Sequence, residues 1–132
     1  MKVRFDPITG KTGEIIQALM QSEDMTQDPA LQFKIQLCIE EAVENVVRYA
    51  YEGGNGYIEV GTELQDGMLT ITLKDSGIPF NPLAKPDPDV TMSVEDRPIG
   101  GLGIFLCKQL MDEISYEFKD GSNILTMKKK VS

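Results

Sequence analysis

The sequence predicts an α+β fold: a two-layer α/β sandwich with one mostly antiparallel sheet and helices on one face. Two pairs of short strands predict the sheet. "YIEVGTEL" and "MLTITLKD" are joined across "QDG", and "ISYEF" and "NILTMKK" across "KDG". Helical stretches fall outside those pairs, as separate runs rather than as crossovers between parallel strands. A length of 132 residues suits one domain with its own core, so residues 1–132 are expected to form a single unit.

Taken in order, "MKVRF" reads as a short first strand and "GKTGEIIQALMQSED" as a helix. Asp28 and Pro29 form a helix start, an N-cap side chain followed by a proline that lacks the N–H a first turn does not need. The helix they open runs to about Tyr51 and stops at "GGNG". After the first hairpin comes "SGIPFNPLAKPDPDVTMSVEDRPIGG", which has no clean periodicity and is long for a connection. A helix over Gly103 to Met111 and the second hairpin complete the chain.

Composition narrows the function. Thirteen basic and twenty-one acidic residues give a net charge of -8, which repels phosphate backbones and argues against direct nucleic-acid binding. The terminal "MKKK" reads as a solvated edge. No apolar run is long enough for a membrane span and "MKVRFDPITG" lacks a signal pattern, so a cytoplasmic protein is expected. Cys38 and Cys107 sit in apolar helical contexts and read as small core residues in a reducing compartment. Histidine is absent, which excludes serine–histidine and cysteine–histidine catalysis and histidine-based metal sites.

Three features admit a functional role beside a plain structural one. On a helical wheel of about 100° per residue, Ile35, Ile39, Val43, Val46 and Ala50 define the core face of the long helix. Glu40 and Glu44 fall opposite it, in solvent. Glu41 and Asn45 lie one turn apart at the border of the apolar stripe, where a carboxylate can be partly desolvated and held in one rotamer. Helix geometry alone also fits an ordinary boundary pair. Second, alternation along "MLTITLKD" gives Asp75 the parity of Leu69, Ile71 and Leu73, so it points to the core side at the strand end. A carboxylate there needs a partner, either the turn "DSG" or a ligand carrying an amino group. Gly77 leaves room for close approach. Third, Gly100, Gly101 and Gly103 lead into a helix and offer backbone N–H groups suited to phosphate. "GKT" at Gly10 is not a P-loop, because Phe5 stands where a glycine is required.

"EAVEN", "DSGIPFNP" and "RPIGGLGIFLCKQLMDE", in that order, resemble the N, G1 and G2 boxes of the Bergerat-fold (GHKL) ATPases, the histidine-kinase-like ATPase domains. Within them the chain is most similar to the stand-alone anti-sigma-factor serine/threonine kinases, on residues 33–128. The resemblance implies Asn45 as a ligand of Mg²⁺ on the phosphates of ATP, and Glu41 as the general base toward a substrate hydroxyl. Asp75 would accept from the adenine amino group, with Gly77 clearing space for the ring. Gly100, Gly101, Leu102 and Gly103 would line the phosphates, and residues 85–99 would form a lid carrying Arg97. Two departures stand out. Arg48 and Tyr49 occupy the region where the family often has histidine, and Asn123 stands where many relatives have threonine.

The function so implied is an ATP- and Mg²⁺-dependent protein kinase that sequesters a sigma factor and phosphorylates a small antagonist protein. The alternative is a nucleotide-gated sequestering module without kinase activity. A histidine-kinase fragment fits less well, since no phosphoacceptor helix with histidine is present. Homodimerisation through the first strand or a sheet edge is a further expectation from the family.

Overall fold

A computed structural model describes residues 1–84 and 101–131. The expected lid at 85–99, with Arg97, and Gly100 lie outside the described residues. The elements are β1 (Lys2–Phe5), α1 (Thr12–Met20), α2 (Pro29–Asn45) continuing as a π-helical turn (Val46–Ala50), β2 (Ile58–Gln65), β3 (Met68–Asp75), a 3₁₀ turn (Pro82–Ala84), α3 (Gly101–Leu110), β4 (Glu113–Lys119) and β5 (Ser122–Lys130).

The five strands form one sheet in the order β1-β2-β3-β5-β4, every pair antiparallel. Both predicted hairpins are two-residue turns, Gln65 pairing with Met68 and Lys119 with Ser122. Their central residues, Asp66 and Gly67 (φ 53° and 76°) and Asp120 and Gly121 (φ 53° and 78°), are left-handed throughout. That backbone matches the strand twist, which is why aspartate followed by glycine closes each hairpin.

One sheet face is apolar and carries the helices. Val60, Leu69, Ile71, Leu73 and Met127 meet Ile15 and Leu19 of α1, Ile35, Ile39 and Val43 of α2, and Cys107 of α3 in a shared core. Lys2, Glu59, Thr70, Thr72 and Lys74 line the opposite face. At the start of α2 the Asp28 carboxylate accepts the Ala30 N–H at 3.0 Å, with Pro29 in the first turn, the cap expected from the sequence.

Several boundaries differ from expectation for identifiable reasons. α1 stops at Met20 instead of reaching Asp24, because Ser22 and Asp24 turn inward: the Ser22 and Thr62 hydroxyls lie 2.9 Å apart, and Thr62 donates to Asp24 at 2.7 Å. Such side-chain bonds compete with helix continuation. The long helix is α-helical only to Asn45, after which Tyr51 N–H donates to Val46 O at 3.0 Å across a wider turn. α3 begins two residues early, at Gly101. Glu44 is half-buried rather than solvated and accepts from the Thr12 hydroxyl at 3.2 Å, while Glu40 is exposed as expected.

Candidate nucleotide site

A narrow cleft opens where the end of α2 passes over β3, β4 and β5. Asn45 and Asp75, far apart in sequence, both line it, together with Ala42, Leu73, Phe80 and Leu125. The walls are mostly apolar with few polar groups, the usual character of a small-molecule site.

Asp75 is 3% exposed. Its position follows from strand alternation, since every second residue of β3 faces the core. One carboxylate oxygen, Oδ1, accepts from Gly77 N–H at 2.9 Å and from Asn123 Nδ2 at 2.8 Å. Burial pushes the carboxyl above the ordinary aspartate range, and the donors Asn123 and Gly77 pull against that rise. The second oxygen, Oδ2, has no hydrogen-bond partner among the described residues. The turn and the ligand, alternatives in the sequence, are thus compatible: the turn takes one oxygen and leaves the other.

Asn45 is 4% exposed, at the last α-helical residue before the π turn. Its side chain makes no hydrogen bond among the described residues, and its amide reaches the cleft instead of being sealed in the core. A nearly buried amide without a protein partner suits an external ligand. π turns inside helices recur at functional sites, and this one follows Asn45 directly.

Glu41 is half-buried, one turn before Asn45 on α2. It faces the first turn of α3, where an added Cβ on Gly103 would stand 2.1 Å from Glu41 Cδ. Gly103 is therefore the residue that lets the carboxylate approach the helix. The N-terminus of α3, with Gly101 as its first residue, presents the backbone N–H groups that favour anions. Among the described residues no group of three acidic, cysteine or histidine side chains gathers to hold a metal. A metal here would rest on Asn45, the ligand's own oxygens and water, a donor set that fits Mg²⁺.

The structure gives Gly77 a packing role. A Cβ there would lie 2.4 Å from the Ala50 carbonyl oxygen, and Ile78 N–H donates to that same oxygen at 2.9 Å. Close packing of the β3 exit against the end of the long helix requires glycine. Tyr51 reinforces this junction, its hydroxyl donating to the Tyr57 carbonyl and accepting from Ser76 N–H at 3.0 Å. Tyr49, in the region where the family often has histidine, stacks on Phe80 with ring centroids 4.8 Å apart.

Tyr116 was not singled out from the sequence, whereas parity along the last strand pointed to Asn123 as the position where many relatives have threonine. The β3–β5 register sets Asn123 opposite Asp75. Cys38 and Cys107 are buried free thiols that meet between α2 and α3, with Cys107 Sγ 4.0 Å from the Cys38 carbonyl oxygen. Their contact and burial push the Cys107 thiol up.

An antiparallel sheet covered on one face by helices, with a cleft between a helix-borne amide and a strand-end aspartate, makes an α/β sandwich with a candidate ligand site. The pattern of the histidine kinase-like ATPase domain matches residues 9–129, and the chain belongs to that family. Over 98 residues it is 30% identical to the serine/threonine-protein kinase BtrW of Bordetella bronchiseptica, covering 74% of this chain and 69% of that protein. It is 34% identical over 98 residues to the serine-protein kinase RsbW of Bacillus cereus, covering 71% of this chain and 61% of that protein. The chain thus matches about three-fifths of the length of the Bacillus relative. Among solved structures, the Acinetobacter baumannii histidine kinase AdeS superposes with a TM-score of 0.53 at 16% identity, over 100% of this chain and 68% of that one. That likeness concerns the fold.

Proposed function

We propose that the chain is an ATP- and Mg²⁺-dependent protein serine/threonine kinase. In this reading it acts in the cytoplasm as an anti-sigma regulator, holding a sigma factor and phosphorylating a small antagonist protein. The observation that carries the reading is the placement of three groups: Asp75 and Asn45 in one cleft, and Glu41 one turn before Asn45 on α2, against the start of α3. The two kinases named above support the same activity.

Each side chain has a task in this reading. Asp75 Oδ2 accepts from the adenine amino group. Asn45 holds the metal side of the triphosphate, and the N-terminal turn of α3 with Gly101 and Gly103 receives phosphate oxygens. Mg²⁺, when bound, neutralises charge on the phosphates during transfer. Glu41 would take the proton from the substrate hydroxyl as that oxygen bonds to the γ-phosphorus and the bond to the β–γ bridging oxygen breaks, releasing ADP; a positioned base contributes about 10²–10⁴-fold to such a step. A sequestering module without transfer needs Asp75 and Asn45 but has no use for Glu41.

The test is single-turnover phosphate transfer from ATP to a purified antagonist protein. Glu41→Ala is expected to bind ATP as wild type does while transfer falls by about 10²–10⁴-fold. Undiminished transfer would remove Glu41 as the base, and a wild-type protein that binds ATP without transferring phosphate would favour the sequestering module.

A further inference from the structure

Asn123 makes four hydrogen bonds and is 4% exposed. Its Nδ2 donates to Asp75 Oδ1 and to the Ile78 carbonyl, both at 2.8 Å. Its Oδ1 accepts from Phe80 N–H at 3.0 Å and from the Tyr116 hydroxyl. Two donors and two acceptor sites are the full capacity of an asparagine amide. The orientation is also fixed, because a flipped amide would set its oxygen against the Asp75 carboxylate and its NH₂ against the Phe80 N–H.

An amide so committed has nothing left for a ligand. It holds Asp75 from across the sheet, while the other donor, Gly77 N–H, belongs to the turn just after Asp75. It also ties β3, β4 and the Ile78–Phe80 segment together at the base end of the cleft.

We propose that Asn123 is the positioning residue of the base site, fixing one oxygen of Asp75 so that the other becomes a single aimed acceptor. A purine bearing a 6-amino group satisfies that acceptor, whereas a 6-oxo purine sets oxygen against oxygen. This inference rests on the cleft being a nucleotide site, and goes beyond it by assigning selectivity to a side chain that does not touch the ligand. Loss of the cross-strand donor frees the carboxylate to rotate, and base discrimination falls.

The test uses a pair of variants of nearly equal shape, Asn123→Thr and Asn123→Val, only the first of which can donate to Asp75. Affinities for ATP and for inosine triphosphate, which differs in its 6-oxo group, are measured by calorimetry. Wild type and Asn123→Thr are expected to prefer ATP strongly, and Asn123→Val to lose about tenfold of that preference through weaker ATP binding. Amide exchange of Phe80 in the nucleotide-free protein is expected to be faster in Asn123→Val than in Asn123→Thr. If either variant fails to fold, Asn123→Ser and Asn123→Ala make the same comparison. Equal discrimination in the donor and non-donor variants would overturn the role of Asn123 while leaving the nucleotide site intact. A wild-type protein that binds neither nucleotide would overturn both.

Discussion

The Glu41 carboxylate fills the space that a side chain at position 103 would need: a Cβ on Gly103 would stand 2.4 Å from both carboxylate oxygens. A residue of α2 and a residue of α3 are thereby locked in a relation that only glycine permits. The atoms displaced by a larger residue belong to the far end of a flexible side chain, so the fold can absorb the change and the carboxylate cannot keep its place.

Gly103→Ala follows from that contact. Alanine favours a helix over glycine by up to about 1 kcal/mol, so thermal stability is expected to hold or rise slightly. Phosphate transfer is expected to fall at least tenfold as the Glu41 carboxylate moves away, with ATP affinity changed much less. Differential scanning fluorimetry beside a single-turnover assay checks both halves.

Asp75→Asn separates stability from binding. The carboxyl is raised in the folded state by burial, so the folded protein binds the proton more tightly than the unfolded chain does. By linkage the Asp75 contribution is fully favourable below the unfolded aspartate pKa, and is lost as pH rises through the folded value. Asparagine, which never ionises, is therefore expected to melt above wild type at neutral pH, with the difference vanishing in acid. The same change puts an NH₂ where an acceptor is needed or removes a charge-assisted bond, about a tenfold to hundredfold loss of ATP affinity. Melts across a pH series and calorimetry at neutral pH test the pair of outcomes.

At Asn45 the conflict between folding and function takes another form. Asn45→Leu replaces a nearly buried amide that makes no hydrogen bond among the described residues with an apolar side chain of similar size. The melting temperature is expected to equal or exceed that of wild type, while ATP affinity in the presence of Mg²⁺ drops about tenfold or more and ceases to depend on the metal. ATP titrations with and without Mg²⁺ decide it.

Gly77→Ala should behave in the opposite sense. Its Cβ would press on the backbone of Ala50 rather than on a movable side-chain tip, at 2.4 Å from the carbonyl oxygen and 2.7 Å from the carbonyl carbon. Overpacking of that kind costs about 1–3 kcal/mol, to be read as a lower urea midpoint with an unchanged slope. A variant as stable as wild type would show that the β3 exit can slide on the helix end.

Local rules made much of this architecture legible. β3 spans the predicted Met68–Asp75, both aspartate–glycine hairpins close where turn chemistry places them, and Asp28 caps α2. These depend on a few adjacent residues. The inward aim of Asp75 was legible for the same reason, since alternation within one strand fixes it. Contacts that depend on two distant segments were not. Nothing near Glu44 in sequence announces Thr12, and nothing near Gly77 announces the Ala50 carbonyl. The grip of Asn123 on Asp75 needed the β3–β5 register, which pairs residues 48 positions apart.

The π turn at Val46–Ala50 delivers Ala50 and Tyr51 to the exit of β3, where they meet Gly77, Ile78 and Ser76. A chain one residue shorter there would regain ordinary helical pitch, and everything beyond would swing by about 100° around the axis. Ala50 would leave Gly77, and the helix end would lose its seat. Backbone length between Val46 and Ala50 is what seats Ala50 on Gly77 at the exit of β3.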